Sequence, residues 1–330
     1  MKSVIRLAMQ ALLTTLAAAA VAAAAGTAMA QDYPTRPLRL IVPFGPGSTP
    51  DVFARIVAEK ASQGLKQPIV IENRVGAGGN VGTDAIAKAA PDGYTFGVSI
   101  TGPLVNNSVL FKSLPYDPFK DLAPITFGVH QPNVIAVAPS LNVNSMQELF
   151  ALLKKNPGKY NYASIGAGSL SHLSMELIKA KTGTFIVHIP YASSPAAVTS
   201  VIAGDTQIAS LAPLAIMPQV QAGRLKALAI STPQRSPLLP NIPTFREAGI
   251  LDVEATAWIG VVAPAKTPPA IIERLNRELT AAMQDPAVAE KLRAQYMDPR
   301  PGSPTEFAAF MQEELKRWGP VIRRSGATVD

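Results

Sequence analysis

The residues best placed for chemistry in this 330-residue chain lie in two glycine-rich turns, PFGPGSTPD (43–51) and GAGSLSHL (166–173). Each follows a strand-like run and opens a helical one. Main-chain N–H groups therefore gather at a helix N-terminus, which carries about half a unit of positive charge. In the first turn the donors are the amides of Gly47, Ser48 and Thr49; the second repeats the device with Gly166, Gly168 and Ser169. Such groups can hold a carboxylate without lysine or arginine, and they break no bond. On these residues alone, a two-ended clamp for a dicarboxylate and two ordinary capped helices are equally good readings.

Other chemistries find little support. A phosphate loop needs a Gly-Lys-Ser/Thr ending, because the lysine reaches the phosphates and the hydroxyl binds magnesium; the first turn has neither. Gly76-Ala-Gly-Gly-Asn80 opens a helix but lacks the third glycine of a dinucleotide fingerprint. There is no G-x-S-x-G elbow, no H-E-x-x-H, and no close His/carboxylate cluster around His130, His172 or His188. The absence of cysteine removes thiol catalysis, disulfides and thiolate metal sites. No cofactor, metal or catalytic residue is expected. A catalytic group assembled from distant residues is the route left open to an enzyme acting on carboxylates.

The elements that must position these turns alternate between strand and helix, which argues for α/β architecture with largely parallel sheets. LRLIV (38–42), PIVIEN (68–73) and YTFGVSI (94–100) read as strands, with helices over 51–64 and 80–89 between them. Gly64 is the expected stop of the first helix. A second series follows: strands at 133–139, 161–165, 185–190 and 225–230, and helices from the Ser145/Glu148 capping box to Lys155, over 169–182, and from about Pro195. Near the C-terminus, Thr267-Pro268 is expected to cap a helix bearing Ile271, Ile272, Leu275, Leu279 and Met283. Ser303 and Glu306 form a further capping box before the stripe Phe307, Phe310, Met311, Leu315 and Trp318, which reads as core.

Residues 1–30 read as a secretory signal: Lys2 and Arg6, a long Ala/Leu run, then Ala28-Met29-Ala30. Cleavage after Ala30 removes two positive charges and no negative one, so the formal net charge falls from +7 to +5. That excess is dispersed, which argues against nucleic acid. The remaining chain of about 300 residues is ample for two domains. Export without cysteine points to a bacterial periplasm.

The chain resembles the Bug, or tripartite tricarboxylate transporter receptor, family of periplasmic solute-binding proteins. YPTRPLRLIVPF (33–44), PIVIENRVGAGGNVGTDAIAKAAPDGYTF (68–96), GKYNYASIGAGSLSHLSMEL (158–177) and HIPYASSPA (188–196) carry the resemblance, with shorter matches at 114–125, 223–231, 242–249 and 258–260. It implies a type II periplasmic-binding-protein fold, with two α/β domains, a ligand cleft between them and two crossover strands. The first domain would comprise residues 31–131 and 255–330, and the second 132–254. The implied function is capture of a small organic carboxylate, a dicarboxylate or aromatic acid, and delivery to a large and a small membrane subunit. A sensor for a signalling partner is the alternative. A monomer is expected.

The resemblance implies ligand contacts at Phe44, Gly47, Ser48 and Thr49 of the first loop, and at Gly166, Ser169 and His172 of the second, partly through ordered waters. Tyr191 would line the cleft, and Ser99 and Thr101 would offer hydroxyls to the distal carboxylate. Asp51 and Gly168 would order the loops, with Arg55 pairing to Asp51 one turn on. Ser48 and Pro50 depart from the family's pattern, and Gln207 stands where the family often has aspartate.

Overall fold

The computed structural model describes residues 33–325 apart from Asp252 and Glu254. The expected signal segment and its cleavage point lie outside the described residues. Two sheets organise the chain. The first is built on β1 (Leu38–Val42), flanked in parallel by β2 (Ile69–Asn73) and β3 (Thr95–Ile100). Leu38, Leu40, Ile41 and Val42 are all buried, as a strand covered on both faces requires.

The expectation of largely parallel sheets needs correction. On the other side of β3 lies β10 (Ala257–Pro264), antiparallel to both β3 and β4 (Leu122–Gln131), and β11 (Asp298–Pro299) closes the edge. The second sheet runs in the order β7 (Val187–Pro190), β6 (Asn161–Ser164), β8 (Ile208–Leu211), β5 (Val134–Val137), β9 (Lys226–Ile230). Here β5 is antiparallel to both its neighbours. The cause is the chain path: β4 leads out of the first sheet directly into β5, and β10 brings the chain back beside β4.

The two crossings are stapled together. Ser231 N–H donates to the Asn133 carbonyl at 3.0 Å, Asn133 N–H donates to Ser231 Oγ at 2.9 Å, and Ala255 N–H donates to the Ser231 carbonyl at 3.0 Å. Ser231 Oγ donates in turn to the Ala255 carbonyl. Ser231 is thus a buried cross-brace between the outgoing and returning strands.

Helices cover both sheets. α1 (Thr49–Leu65) packs Phe53, Val57 and Ala61 onto the first sheet, and burial of each large apolar side chain contributes roughly 1.5–3 kcal/mol. Gly64 is not its stop, since Lys66 takes the left-handed turn at φ 54°. A side chain at Gly64 would instead collide with Glu278 of α7 (Pro269–Gln284). α2 (Asn80–Ala87) follows β2. In the second lobe lie α3 (Met146–Lys155), α4 (Leu170–Thr182), α5 (Ser194–Ala203) and α6 (Pro213–Gln221).

Capping follows the sequence at α3, where Ser145 Oγ accepts from Glu148 N–H at 3.1 Å. At α9 (Pro304–Ser325) the box is reciprocal, Ser303 N–H also reaching Glu306 at 2.7 Å. At α7 it does not follow: among the described residues Thr267 Oγ1 is buried without a partner, and Pro268 occupies the cap position. α8 (Pro286–Ala294) completes the first lobe. The last turns of α9 reach across, Trp318 and Ile322 sharing one apolar cluster with Leu170 and Leu173 of α4.

Candidate functional site

The first turn is organised by Asp51, the third residue of α1. Its Oδ2 accepts from Gly47 N–H and Arg55 Nε, both at 3.0 Å; its Oδ1 accepts from Arg55 Nη2 at 3.0 Å and Asn73 Nδ2 at 2.9 Å. Asn73 Nδ2 also holds the Phe44 carbonyl at 2.8 Å. Burial works to raise the Asp51 pKa, but the bonds from Arg55, Asn73 and Gly47 outweigh it and hold the carboxyl below its ordinary range. The Gly47 amide is committed to this network, and Ser48 N–H to the Gly45 carbonyl at 3.2 Å. Among the described residues the Thr49 N–H has no acceptor, and the buried hydroxyls of Ser48 and Thr49 have no partner.

The second turn is held by its own side chains. Ser169 Oγ donates to the Gly166 carbonyl at 2.6 Å and accepts from His172 N–H at 3.3 Å as the cap of α4. Gly168 N–H donates to His172 Nδ1 at 3.2 Å, which requires that ring nitrogen to be unprotonated. His172 stacks on His188 at 4.3 Å, and His188 on Tyr162 at 4.9 Å. Burial pushes the His172 pKa down; burial and the neighbouring His172 push His188 down to about 3. Both rings are therefore neutral at pH 7.

The second turn closes on the first lobe at the Gly76–Gly79 turn and at Asn106, while Gly45 and Gly47 of the first turn approach Ser193 and Pro195. A methyl group at Gly166 would come within 2.6 Å of Gly78 Cα, and one at Gly78 within 2.7 Å of the Ala167 carbonyl. Asn106 Nδ2 of the first lobe donates to the Gly168 carbonyl at 3.3 Å. Between the lobes runs a narrow, nearly shut cleft with a cavity volume of about 30 Å³, room for little more than a water. Residues at the N-terminal ends of four helices line it: Thr49 of α1, Ser171 of α4, Ser194 of α5, and Ala212 before α6. Ile165 separates this cleft from a wider space of about 380 Å³ bordered by Phe44, Gly166 and Tyr191. Among the described residues, no lysine, arginine or histidine lines either space.

Sequence expectations sort accordingly. Thr49 and Thr101 lie on the narrow cleft, and Phe44, Gly166 and Tyr191 on the wider space. Gly47, Gly168, Ser169 and His172 serve the internal order of the turns, as Asp51 does. Ser99 faces away: its hydroxyl lies 2.8 Å from Thr83 of α2 and lines neither space. Gln207 is also remote, its amide bonding Asn161 N–H at 3.0 Å and the Gly204 carbonyl at 2.8 Å.

Four polar residues on the cleft were not anticipated: Gln131, Asn133, Ser171 and Ser194. Among the described residues, Gln131 Oε1 is buried without a partner. Only Ser194 left a local trace, in the Ser193-Ser194-Pro195 helix start, where Ser193 Oγ accepts from Ala196 N–H at 3.3 Å. Gln131 and Asn133 carry none, because their place on the wall follows from the crossing of the two lobes.

Comparison with known proteins agrees with this architecture. Residues 53–327 match the family described as the tripartite tricarboxylate transporter family receptor, TctC. Protein BugT of Bordetella pertussis is 39% identical over 309 residues, covering 93% of this chain and 95% of that protein. Among solved structures, R. palustris Rpa4515 with adipate shares 34% identity at a TM-score of 0.87, over 90% of this chain and 100% of that one. MatC from Rhodopseudomonas palustris with bound malate shares 30% identity at a TM-score of 0.84, over 88% of this chain and 100% of that one. The two-lobed fold is that of periplasmic binding proteins, and family members are substrate-binding receptors, not enzymes. On the extent of these matches and the fold they share, the chain belongs to the tripartite tricarboxylate transporter receptor family.

Proposed function

We propose that this receptor binds a small organic dicarboxylate in the cleft between its lobes and delivers it to a large and a small membrane subunit for import. The observation that carries the reading is the convergence of four helix N-termini on a cleft without cationic side chains. Each helix end contributes about half a positive charge, so an anion is favoured there although every lining side chain is neutral. Thr49, Thr101, Asn133 and Ser194 supply hydroxyl and amide donors around it, while the Ser171 hydroxyl is spent on Ser169. The unpartnered Gln131 oxygen calls for a donor, such as a ligand hydroxyl or a bridging water. Phe44 and Tyr191 stand at the wider space beyond Ile165, where the ligand would enter.

In this reading residues 31–131 and 255–330 form one binding lobe, residues 132–254 the other, and the crossing strands the hinge. The chain acts in the periplasm after cleavage near Ala30. Relatives with adipate and malate support ligands of this class. Titration calorimetry with adipate, malate and the uncharged diamide of adipic acid tests it. At least one diacid should bind and the diamide should not; at a ligand concentration of one hundred times Kd, unfolding should become harder by about 2.7 kcal/mol. Failure of a panel of four- to six-carbon diacids to bind would defeat the ligand assignment. Unchanged uptake in a strain lacking the protein would defeat the delivery role.

A further inference from the structure

Across the hinge from the cleft lies a larger, open cavity of about 530 Å³ that the receptor reading leaves unused. Gln131 borders both spaces; Asn133 faces the cleft, while His130 and Pro132 face the cavity. That alternation is expected of an extended crossing segment. The cavity walls come from both sides of the hinge. Arg235 and Leu238 stand on the segment after β9, and Arg293, Tyr296 and Arg300 on the stretch from α8 through β11.

Its chemistry is the reverse of the cleft's. Three arginines line it, and among the described residues Asp298 is the sole carboxylate. Asp298 accepts from Arg300 Nε at 3.0 Å and lies 3.9 Å from Arg293 Nε. The Nη groups of both guanidiniums are left without a partner among the described residues, in the planar fork geometry that matches a carboxylate. Arg235 is tied to Glu247 and to the Pro240 carbonyl. The wall between these charges is apolar and aromatic: Pro132, Pro237, Leu238, Tyr296 and the ring of His130, whose burial lowers its pKa to about 4.

Tyr296 adds an independent observation. It follows α8 at φ 61°, a left-handed position that glycine usually fills, with Met297 N–H closing back on the Leu292 carbonyl at 3.0 Å. The Tyr296 ring packs on the second lobe's apolar cluster and borders the cavity.

We propose that this hinge-side cavity is a second ligand site, specific for an aromatic carboxylate. The carboxylate lies on the free Nη groups of Arg293 and Arg300, and the ring lies between Tyr296 and the Pro237–Leu238 wall. Rotation about the crossing strands moves the two sides of the hinge in opposite senses, so the width of this cavity is tied to closure of the cleft. An occupant that fits the present width therefore favours the closed form, and the two ligands strengthen each other's binding. The coupling rests on the cleft-binding reading; the site itself does not.

Calorimetry with phthalate, at low salt and with the full mature chain, tests the site. Phthalate should bind protein already saturated with adipate, and adipate should bind several-fold more tightly when phthalate is present. The exposed pair Arg293→Gln/Arg300→Gln should weaken phthalate at least tenfold while leaving adipate alone within twofold. Leu238→Glu, a substitution on the exposed opposite wall, should weaken phthalate by repulsion. No phthalate binding, displacement of phthalate by adipate, or affinity unmoved by both variants would overturn the site. Equal adipate affinity with and without phthalate would overturn the coupling. If adipate itself fails to bind, the cleft reading falls alone, and phthalate titration of the free protein still decides the hinge site.

Discussion

Asp51 accepts a 3.0 Å hydrogen bond from the Gly47 amide, so the carboxylate that orders the first turn also withdraws one of its donors from any ligand. What remains on the cleft for an anion is Thr49, with its N–H and unpartnered hydroxyl; the buried Ser48 lines neither space. The turn is thereby a preorganised cradle whose shape is set by a buried negative charge.

Replacing Asp51 should show this. Asp51→Ala strands Gly47 N–H and Arg55 together, and a loss of about 1–3 kcal/mol in stability is expected, with weaker adipate binding. The folded pKa of Asp51 is depressed, so its contribution is present above the unfolded carboxyl value of about 4 and fades as pH falls through the lower folded value. Urea unfolding of wild type and variant between pH 7 and 3 measures it. Coincident curves at every pH would remove Asp51 from its role.

The interlock of Gly78 with Gly166 and Ala167 predicts a closure defect. Gly78→Ala places a methyl 2.7 Å from the Ala167 carbonyl of the other lobe. The residue's left-handed backbone adds about 1–2 kcal/mol of local destabilisation. Small-angle scattering with saturating adipate should show a larger radius of gyration than wild type. Equal contraction in both proteins would mean that these glycines do not set the closed contact.

Fluorescence should identify Trp318 as the principal reporter of closure. Trp258 lines the cleft, but its indole N–H is tied to Glu314 at 3.0 Å and its ring is packed inside the first lobe. Trp318 lies in the cluster that joins α9 to Leu170 and Leu173. Adipate should shift emission more in Trp258→Phe, where only Trp318 remains, than in Trp318→Phe. The opposite order would place the moving interface elsewhere.

Acid should weaken the second turn. His188 titrates near 3 in the folded protein against about 6.5 unfolded, and His172 is also depressed, so between those values only the unfolded chain takes up the protons. Stability is then full above about pH 6.5 and falls by up to ~1.4 kcal/mol per pH unit for each ring. His188→Phe keeps the stack on Tyr162 and should flatten the slope between pH 6 and 4. An unchanged slope would assign the acid sensitivity to other groups.

Legibility in the sequence followed the range of the interactions. Ser145 with Glu148, Ser303 with Glu306 and Asp51 with Arg55 all act within one helical turn, and each pair meets as its spacing requires. Ser99 was misplaced for a local reason as well. Every residue of β3 is buried, so no alternation of polar and apolar residues marks which face meets the cleft.

By itself the sequence determined the α/β alternation, the two anion-ready turns and the family, because strand runs, caps and turns depend on neighbours a few residues apart. Only the tertiary structure decided the antiparallel return of β10, the four helix ends around one cleft, and the places of Gln131 and Asn133 on its wall. Those features join residues far apart in the chain, such as Gln131 opposite Ala257. Their meeting is set by strand pairing and lobe packing, which no short stretch of residues encodes.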